Sequence, residues 1–269
     1  MAYKVGVVRG GYANLVQYPA VKNISYVDWP ELNGIDPDLS APKLSAKTNV
    51  SMNFFCANSP SGTDSFCSCF EPDSDLTLVP IGLTLPLRFK NISSRNRVRT
   101  LELFTANFSL DSVSVEDWED YANCSAETTD PGVETQASGL TIDGDDISTY
   151  GIMPLKGAST AIDSPSSLKD NLIINSDTID GILYPDTEVV KSSRTVSIPL
   201  LLRASSKSRF WPNYLALLNT LVTPGEHILG YGGASHYFYY QNQSVTTFHV
   251  YADGAVWCMF NLSLMFYKG

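Results

Sequence analysis

The chain has 269 residues, of which 43% are hydrophobic and only 17% charged, with a net charge of −10. That length suits two domains of ordinary size, and the acidity argues against a protein that grips nucleic acid through a basic face. No apolar run is long enough to span a bilayer as a helix, and the start, Met1-Ala2-Tyr3-Lys4-Val5, lacks the apolar stretch of a secretory signal.

Tyr (14) and Phe (12) are plentiful, while long Ala/Glu/Lys/Leu runs are absent, a balance that favours strands. In chain order, Val5 and Val7 read as a strand entering a turn at Arg9-Gly10-Gly11. Trp29 to Gly34 is turn-rich, and Asn33-Gly34 is a hairpin signal. Val50 to Phe54 alternates, so it is a strand with one buried face. Thr63 to Phe70 is a candidate short helix. Leu83 to Phe89 and Val98 to Leu110 are further strands. In the second, Phe104, Ala106, Phe108 and Leu110 face one way, and Thr105, Asn107 and Ser109 the other.

Residues 111–150 read as an acidic connector or insertion. Between Arg99 and Lys156 there are 12 acids and no Lys or Arg, while the rest of the chain carries 16 acids against 18 bases. Val113, Val115, Trp118 and Tyr121 are placed to pack against a domain, and the stretch beyond Ala122 reads as a loop. Asp143-Gly144-Asp145-Asp146 has a faint look of a calcium loop, but it lacks the ligand spacing and terminal Glu and reads as a solvated turn.

Further on, Val196, Ile198, Leu200 and Leu202 alternate in a strand, and Pro199 suggests an unpaired edge. A helix follows, capped by Ser206 or Ser208, with Pro212 in its first turn and an apolar stripe of Phe210, Tyr214, Leu217, Leu218 and Leu221. Thr223-Pro224-Gly225 ends it. Tyr237 to Tyr240, Val245 to Tyr251, an Asp253-Gly254 turn and a closing apolar strand complete the chain.

Few residues point to chemistry. Cys56, Cys67, Cys69, Cys124 and Cys258 have no zinc spacing and read as free thiols. His227, His236 and His249 lack metal-ligand spacing, and a Cys258–His249 pair is explained by a hairpin. Gly230-Tyr231-Gly232-Gly233 reads as a turn. Seven Asn-x-Ser/Thr sequons, at Asn23, Asn49, Asn91, Asn107, Asn123, Asn242 and Asn261, fit Asn- and Ser-rich strand faces. No catalytic, cofactor-binding or metal-binding residue is assigned.

The organising feature is an echo. At an offset of 147, Asn33-Gly34-Ile35 falls on Asp180-Gly181-Ile182, Arg9-Gly10 on Lys156-Gly157 and Leu15 on Ile162. Val21-Lys22-Asn23 falls likewise on Leu168-Lys169-Asp170, and Val27-Asp28 on Ile174-Asn175. Later, Ala106 to Leu110 echoes Phe260 to Leu264. The period is too long for a solenoid and implies two related domains, 1–110 and 151–269, flanking the connector 111–150. The expected class is mainly β with one short helix per domain at most, each domain a β-sandwich or half-barrel.

The second copy resembles the tail-tube fold of long-tailed bacteriophages, found in distal tail and tail tube proteins. The resemblance rests on Lys156-Gly157, Leu168-Lys169-Asp170, Gly181-Ile182 and the Arg194–Arg203 strand. It continues through the Phe210–Leu221 helix, Pro224-Gly225, Tyr237-Tyr239-Tyr240 and the closing strand. The first copy shares Arg9-Gly10, Val21-Lys22-Asn23, Trp29-Pro30-Glu31 and Gly34-Ile35. The resemblance implies a virion tail protein, assembled in the host cytoplasm without a membrane. In that fold six tube domains close a β-barrel, so the chain would form a ring as a trimer with pseudo-sixfold symmetry, or else as a hexamer, beside neighbouring tail proteins. DNA would pass through without specific binding. An ordinary distal tail protein has one tube domain plus a peripheral one, so a duplicated chain departs from that pattern. Asp28, Glu31, Asp36, Asp38, Asp177, Asp180, Asp186 and Glu188 are then expected to line or rim the channel, with the connector outside or at a ring–ring contact. A wall of Lys43, Lys47, Lys191 and Arg194 would contradict this. The alternative is a surface or secreted carbohydrate-binding β-sandwich, suggested by the sequons and by Trp and Tyr.

Overall fold

Alternating burial is what the β-rich composition delivers. The computed structural model describes residues 4–8, 11–57, 61–70, 75–78, 80–111, 113–169, 176–181, 183 and 190–268. In the first half the strands are β1 (Lys4–Val7), β2 (Tyr26–Val27), β3 (Asp36–Pro37), β4 (Lys47–Ala57), β5 (Asp75–Leu78), β6 (Leu83–Pro86), β7 (Arg88–Val98) and β8 (Leu101–Leu110). Four of them form an antiparallel sheet in the order β1-β4-β8-β7, while β2–β3 and β5–β6 are small ribbons. Then come β9 (Leu140–Ile142), β10 (Asp145–Asp146), β11 (Ile152–Pro154), β12 (Arg194–Ala204), β13 (His227–Tyr231), β14 (Ala234–Val250) and β15 (Val256–Phe266). These make a seven-stranded antiparallel sheet ordered β10-β9-β13-β14-β15-β12-β11. The structure is mainly β.

In β15 every second residue from Val256 to Phe266 is buried, and β12 buries Val196, Ile198, Leu200, Leu202 and Ala204. In β4 the buried set is Val50, Met52, Phe54 and Cys56. Period-two burial is what a sheet with one covered face requires. A single contiguous core runs through both halves.

The helices are α1 (Tyr12–Val16), α2 (Ser61–Ser68), α3 (Val115–Ala122), α4 (Ala158–Asp163) and α5 (Lys207–Val222). This corrects the expectation of at most one helix per domain. α1 and α4 are too short to show a helical period. α3 announces itself through a capping box, in which the Ser114 hydroxyl accepts from Asp117 N–H and the Asp117 carboxylate from Ser114 N–H. α5 is buried from Phe210 through Leu218, not along one stripe, because it lies between the two halves. Pro212 sits beyond its first turn, and Ser206 and Ser208 bond each other instead of capping it.

Four strands in each half share one order, and the second sheet adds β10, β9 and β13. β1-β4-β8-β7 is matched by β11-β12-β15-β14, all antiparallel. Met52 lies opposite Ala106 as Leu200 lies opposite Phe260, which aligns Asn107 with Asn261. An isolated bridge Val21–Leu44 is matched, 147 residues on, by Leu168–Lys191. Its flanking bonds match too: Lys22 N–H to Lys43 C=O (2.7 Å) with Lys169 N–H to Val190 C=O (3.0 Å), and Ser45 to Ala20 (2.8 Å) with Ser192 to Ser167 (2.8 Å). The Lys47 ammonium donates to the carbonyls of Asn14 (3.1 Å), Leu15 (2.7 Å) and Gln17 at the end of α1. The Arg194 guanidinium does the same to Ala161 (3.0 Å) and Ile162 at the end of α4. These cations satisfy the orphan carbonyls of a helix end. A bulge between Lys47 and Val50 then moves the β4-to-β12 offset by one residue.

Other boundaries differ from expectation. Val98 to Leu110 is not one strand: Arg99, at a φ of 57°, turns the β7–β8 hairpin. Pro199 lies within the sheet, since β12 pairs with both β15 and β11; it falls one residue past the last rung of β11, Pro154–Leu200, where its carbonyl accepts from Leu155 N–H and its missing donor goes unneeded. Ser109 is buried. The connector is no simple loop, because burial of Leu140, Ile142, Ile147 and Tyr150 draws its end into the seven-stranded sheet. Arg9-Gly10, Asp170, Ile174-Asn175 and Ile182 lie outside the described residues.

Two outcomes test this account. Lys47→Met leaves its carbonyls unmet and should cost about 1–3 kcal/mol in urea unfolding, whereas Lys47→Arg should stay close to wild type because arginine already does this work at 194. Asp146 is pushed up by burial, but hydrogen bonds from Ser148 and Ser138 outweigh this and hold its carboxyl at about 2. Its stabilising contribution should be full above about pH 4 and fade towards pH 2. Melting temperatures of wild type and Asp146→Asn should therefore converge across that window.

Candidate functional site

Two surfaces stand out from the fold: a joint between the halves, and a polar face along the long strands.

The joint begins where α1 ends. Tyr18, buried, donates its hydroxyl to the Tyr214 carbonyl, and the Tyr214 hydroxyl points back to Val16 C=O and Gln243 Oε1, each at 2.8 Å. Gln243 Oε1 also accepts Tyr18 N–H at 2.8 Å. The Tyr240 hydroxyl donates to Pro19 C=O at 2.9 Å, and Val21 N–H to Gln241 C=O at 2.9 Å. Burial pushes the phenols of Tyr18, Tyr214 and Tyr240 up, so all three stay neutral donors.

From there residues 23–43 form an arm that reaches over the second half. Its tip turns through Leu32 N–H to Trp29 C=O (3.2 Å), then Gly34 at a φ of 74°. Lys191 N–H donates to Asn33 Oδ1 (2.7 Å), Gly34 N–H to Lys191 C=O (2.8 Å) and Ile35 N–H to Tyr267 C=O (2.9 Å). Buried Lys169 pairs with Asp28 and donates to Trp29 C=O at 2.7 Å. A Cβ at position 34 would lie 1.7 Å from the Tyr267 carbonyl oxygen, so only glycine lets the arm come this close.

The second surface is an uncharged ladder on the solvent side of the first sheet. Ser51 donates to Asn107 (2.6 Å) and Asn107 to Asn91 (2.7 Å). On the next row Ser94 donates to Thr105 (2.9 Å) and Thr105 to Asn53 (2.8 Å). In the second sheet the Asn107 row corresponds to Pro199–Asn261–Ser244, beside which runs Ser197–Ser263–Asn242, while the row of Asn53 and Thr105 corresponds to the apolar pair Leu201–Met259. Four of the seven sequon asparagines, Asn91, Asn107, Asn242 and Asn261, stand on these rows. The signal was in the sequence as Asn, Ser and Thr at every second position.

The expected channel acids scatter. Asp28 belongs to the joint. Glu31, Asp36 and Asp38 are exposed on the arm, where Asp38 accepts from Ser40 and is held below the usual carboxylate range by that bond. Asp177 and Asp180 are exposed, and Asp186 and Glu188 lie outside the described residues. Of the cations weighed against them, Lys47 and Arg194 are tied to helix ends and Lys191 offers its backbone to the joint.

Each histidine is held by its own neighbours. His227 bonds Asp143 (2.7 Å) and Thr223 C=O (2.8 Å), His236 stacks on Phe266, and His249 packs between Tyr251 and Trp257. Cys258 is buried and its thiol is pushed up by burial, which disfavours the thiolate a nucleophile needs. Among the described residues no group of three or more His, Cys, Asp or Glu is placed to hold a metal ion. No described helix is long and apolar enough to cross a membrane. Comparisons with protein-family models, curated proteins and solved structures return no match.

The glycine argument has a direct test. Gly34→Ala should cost clearly more than the roughly 1–2 kcal/mol of a left-handed alanine, because its methyl meets a backbone carbonyl. Gly181→Ala, at a φ of 82° with no atom within 4 Å of the added carbon, should cost no more than that strain. Denaturant melts of both variants in dilute solution read the difference.

Proposed function

We propose that this chain is a structural subunit of a bacteriophage tail, carrying two copies of a tail-tube unit and building a ring of the tube or its distal tip. The observation that carries the reading is the repeated strand order with its matched bridges and cation clamps. One chain holds two like units, so three chains supply six. Each unit bears a long hairpin, β7–β8 or β14–β15, whose solvent face carries Asn and Ser rows beside apolar residues such as Leu103 and Met259.

A bare strand edge supports the same reading. β7 is eleven residues long, exposed along nearly its whole length and, among the described residues, unpaired on one side. Arg88, Lys90, Arg95 and Arg97 stud it, a pattern that blocks indiscriminate pairing while leaving a specific partner possible. Closing such sheets into a barrel removes the edges. A ring that conducts DNA must not hold it by phosphate contacts. An Asn/Ser/Thr ladder meets that need better than the scattered acids of the arms, which makes the ladder the preferred channel lining. No catalytic role is assigned, and the site of action is the virion.

The carbohydrate-binding reading keeps one observation, the exposed Tyr26 (58%) and Trp29 (54%) on the arm. Negative-stain imaging of concentrated protein decides between them. Rings with threefold or sixfold symmetry and no retention on DNA–cellulose are expected. A strict monomer that binds glycans on an array would overturn the proposal.

A further inference from the structure

We infer that a second copy of this chain docks head to tail through the same contact that joins the two halves of one chain. The arm of the second half, around Ser176–Gly181, would enter a groove on the first half of its neighbour. The inference rests on the ring reading only for closure of the assembly; the contact itself is argued from this chain.

The two arms end alike. Ile179 N–H bonds Ser176 C=O at 3.1 Å, as Leu32 N–H bonds Trp29 C=O at 3.2 Å, and the offset is again 147. Gly181 has a φ of 82° against 74° for Gly34. Yet the surroundings differ completely. Gly34 is buried against Tyr267, whereas Gly181 is exposed with nothing within 4 Å of a built Cβ. A backbone shaped for close approach stands without a described residue to approach.

Its counterpart surface is present on the first half. Lys191 offers its N–H and C=O outward to Asn33 and Gly34. Leu44 holds the equivalent bridge position, so its N–H and C=O also point outward, and no described residue meets them. Lys169 is buried in the joint, while its equivalent Lys22 is exposed. Lys22, Lys43, Leu44, Asp111 and Val113 line one groove, and they correspond in the repeat to the residues the first arm covers. Leu168, equivalent to Val21, is 53% exposed.

The equivalences specify the joint. Gly181 N–H donates to Leu44 C=O of the neighbour, and Leu44 N–H to the Asp180 carboxylate. The Lys22 ammonium donates to Ser176 C=O. The acids Asp177 and Asp180 on the arm would meet a groove of mixed charge, where Lys22 and Lys43 stand beside Glu116 and beside Asp111, which Arg88 pairs at 3.3 Å. Such a contact is heterologous, so it closes a ring if the rotation per unit allows and otherwise grows a filament.

The test mixes unlabelled and ¹⁵N-labelled full-length chain, couples carboxylates to amines with a zero-length carbodiimide, and maps links between isotopes by mass spectrometry. Sedimentation velocity is run in parallel on wild type, Lys22→Glu, Asp180→Lys and the control Lys22→Arg. Both substituted positions are exposed in the single chain, and circular dichroism checks that each variant folds. The expected result is inter-isotope links from Asp177 or Asp180 to Lys22 or Lys43. Association should weaken about tenfold or more in Lys22→Glu and Asp180→Lys and persist in Lys22→Arg. Unchanged association in both variants, with links elsewhere, overturns this joint and leaves the ring reading standing. Loss of association in the variants, with open filaments from wild type, upholds the joint and overturns the ring. Wild type that shows neither association nor inter-isotope links, even when concentrated to about 1 mM where a weak joint fills, overturns both.

Discussion

The structure depends on one buried polar knot. Tyr18, Tyr214 and Gln243 come from a loop after α1, from the central helix and from the longest strand, and they exchange hydrogen bonds with no access to water. The two phenols and the Gln243 Oε1 are met, while the Gln243 Nε2 is buried with no partner among the described residues; breaking a further bond there would cost more than a met one gains, which ties the three elements to one mutual position. That position lays α5 between the halves. It also fixes where the chain leaves the knot at Pro19, and therefore where the arm of residues 23–43 begins. Trp211, which donates to Ile81 C=O at 2.8 Å, adds a second tie from the same helix to the first half.

Much of this was legible in the sequence where a residue's role is local. Alternation gave β4, β8, β12 and β15, and the Asn-Gly and Asp-Gly pairs marked arms whose tips do turn alike. The 147-residue echo was visible because bridge positions and arm tips keep both spacing and residue type. The clamp was hidden: Lys47 and Arg194 sit at matched positions, but lysine and arginine at strand starts look like any surface cation until the helix ends beneath them are seen. α5 read as amphipathic because Asn213, Ala216 and Pro212 break its apolar run. Its burial all round needs a second half to cover the far face, and tertiary packing of that kind leaves no periodic signal.

The acids show the same limit. Counting them along the chain located a connector with no bases, but not their use. Asp117 closes a capping box, Asp146 gathers the amides of Ser138, Gly139 and Ser148, Asp130 meets Arg209, and Asp143 holds His227 and Ile228 N–H. Carboxylates in turns serve the backbone first. The net charge is thus largely a by-product of how the connector is folded onto the second sheet, and the polar character of the strand faces comes from neutral side chains.

The correspondence between the halves fails where the failure has a consequence. At the knot, Tyr18 of the first half corresponds to Pro165 of the second, and Gln17 to Ser164. The in-chain joint therefore has buried aromatic hydroxyls that a chain-to-chain joint built on the same plan would lack. The arm contacts, by contrast, are carried by backbone groups, a glycine and a lysine, all of which recur. Backbone and rim contacts of this sort specify register while contributing modest affinity, and desolvated aromatics contribute most of it. Under the proposed joint, a single chain is a rigid pair locked by its own core, and the link between chains is the same geometry with the anchor removed. Subunits of that design remain separate in dilute solution and join in a fixed register once a template or high concentration brings them together, which is the behaviour required of a ring that must assemble only at its place in a larger particle.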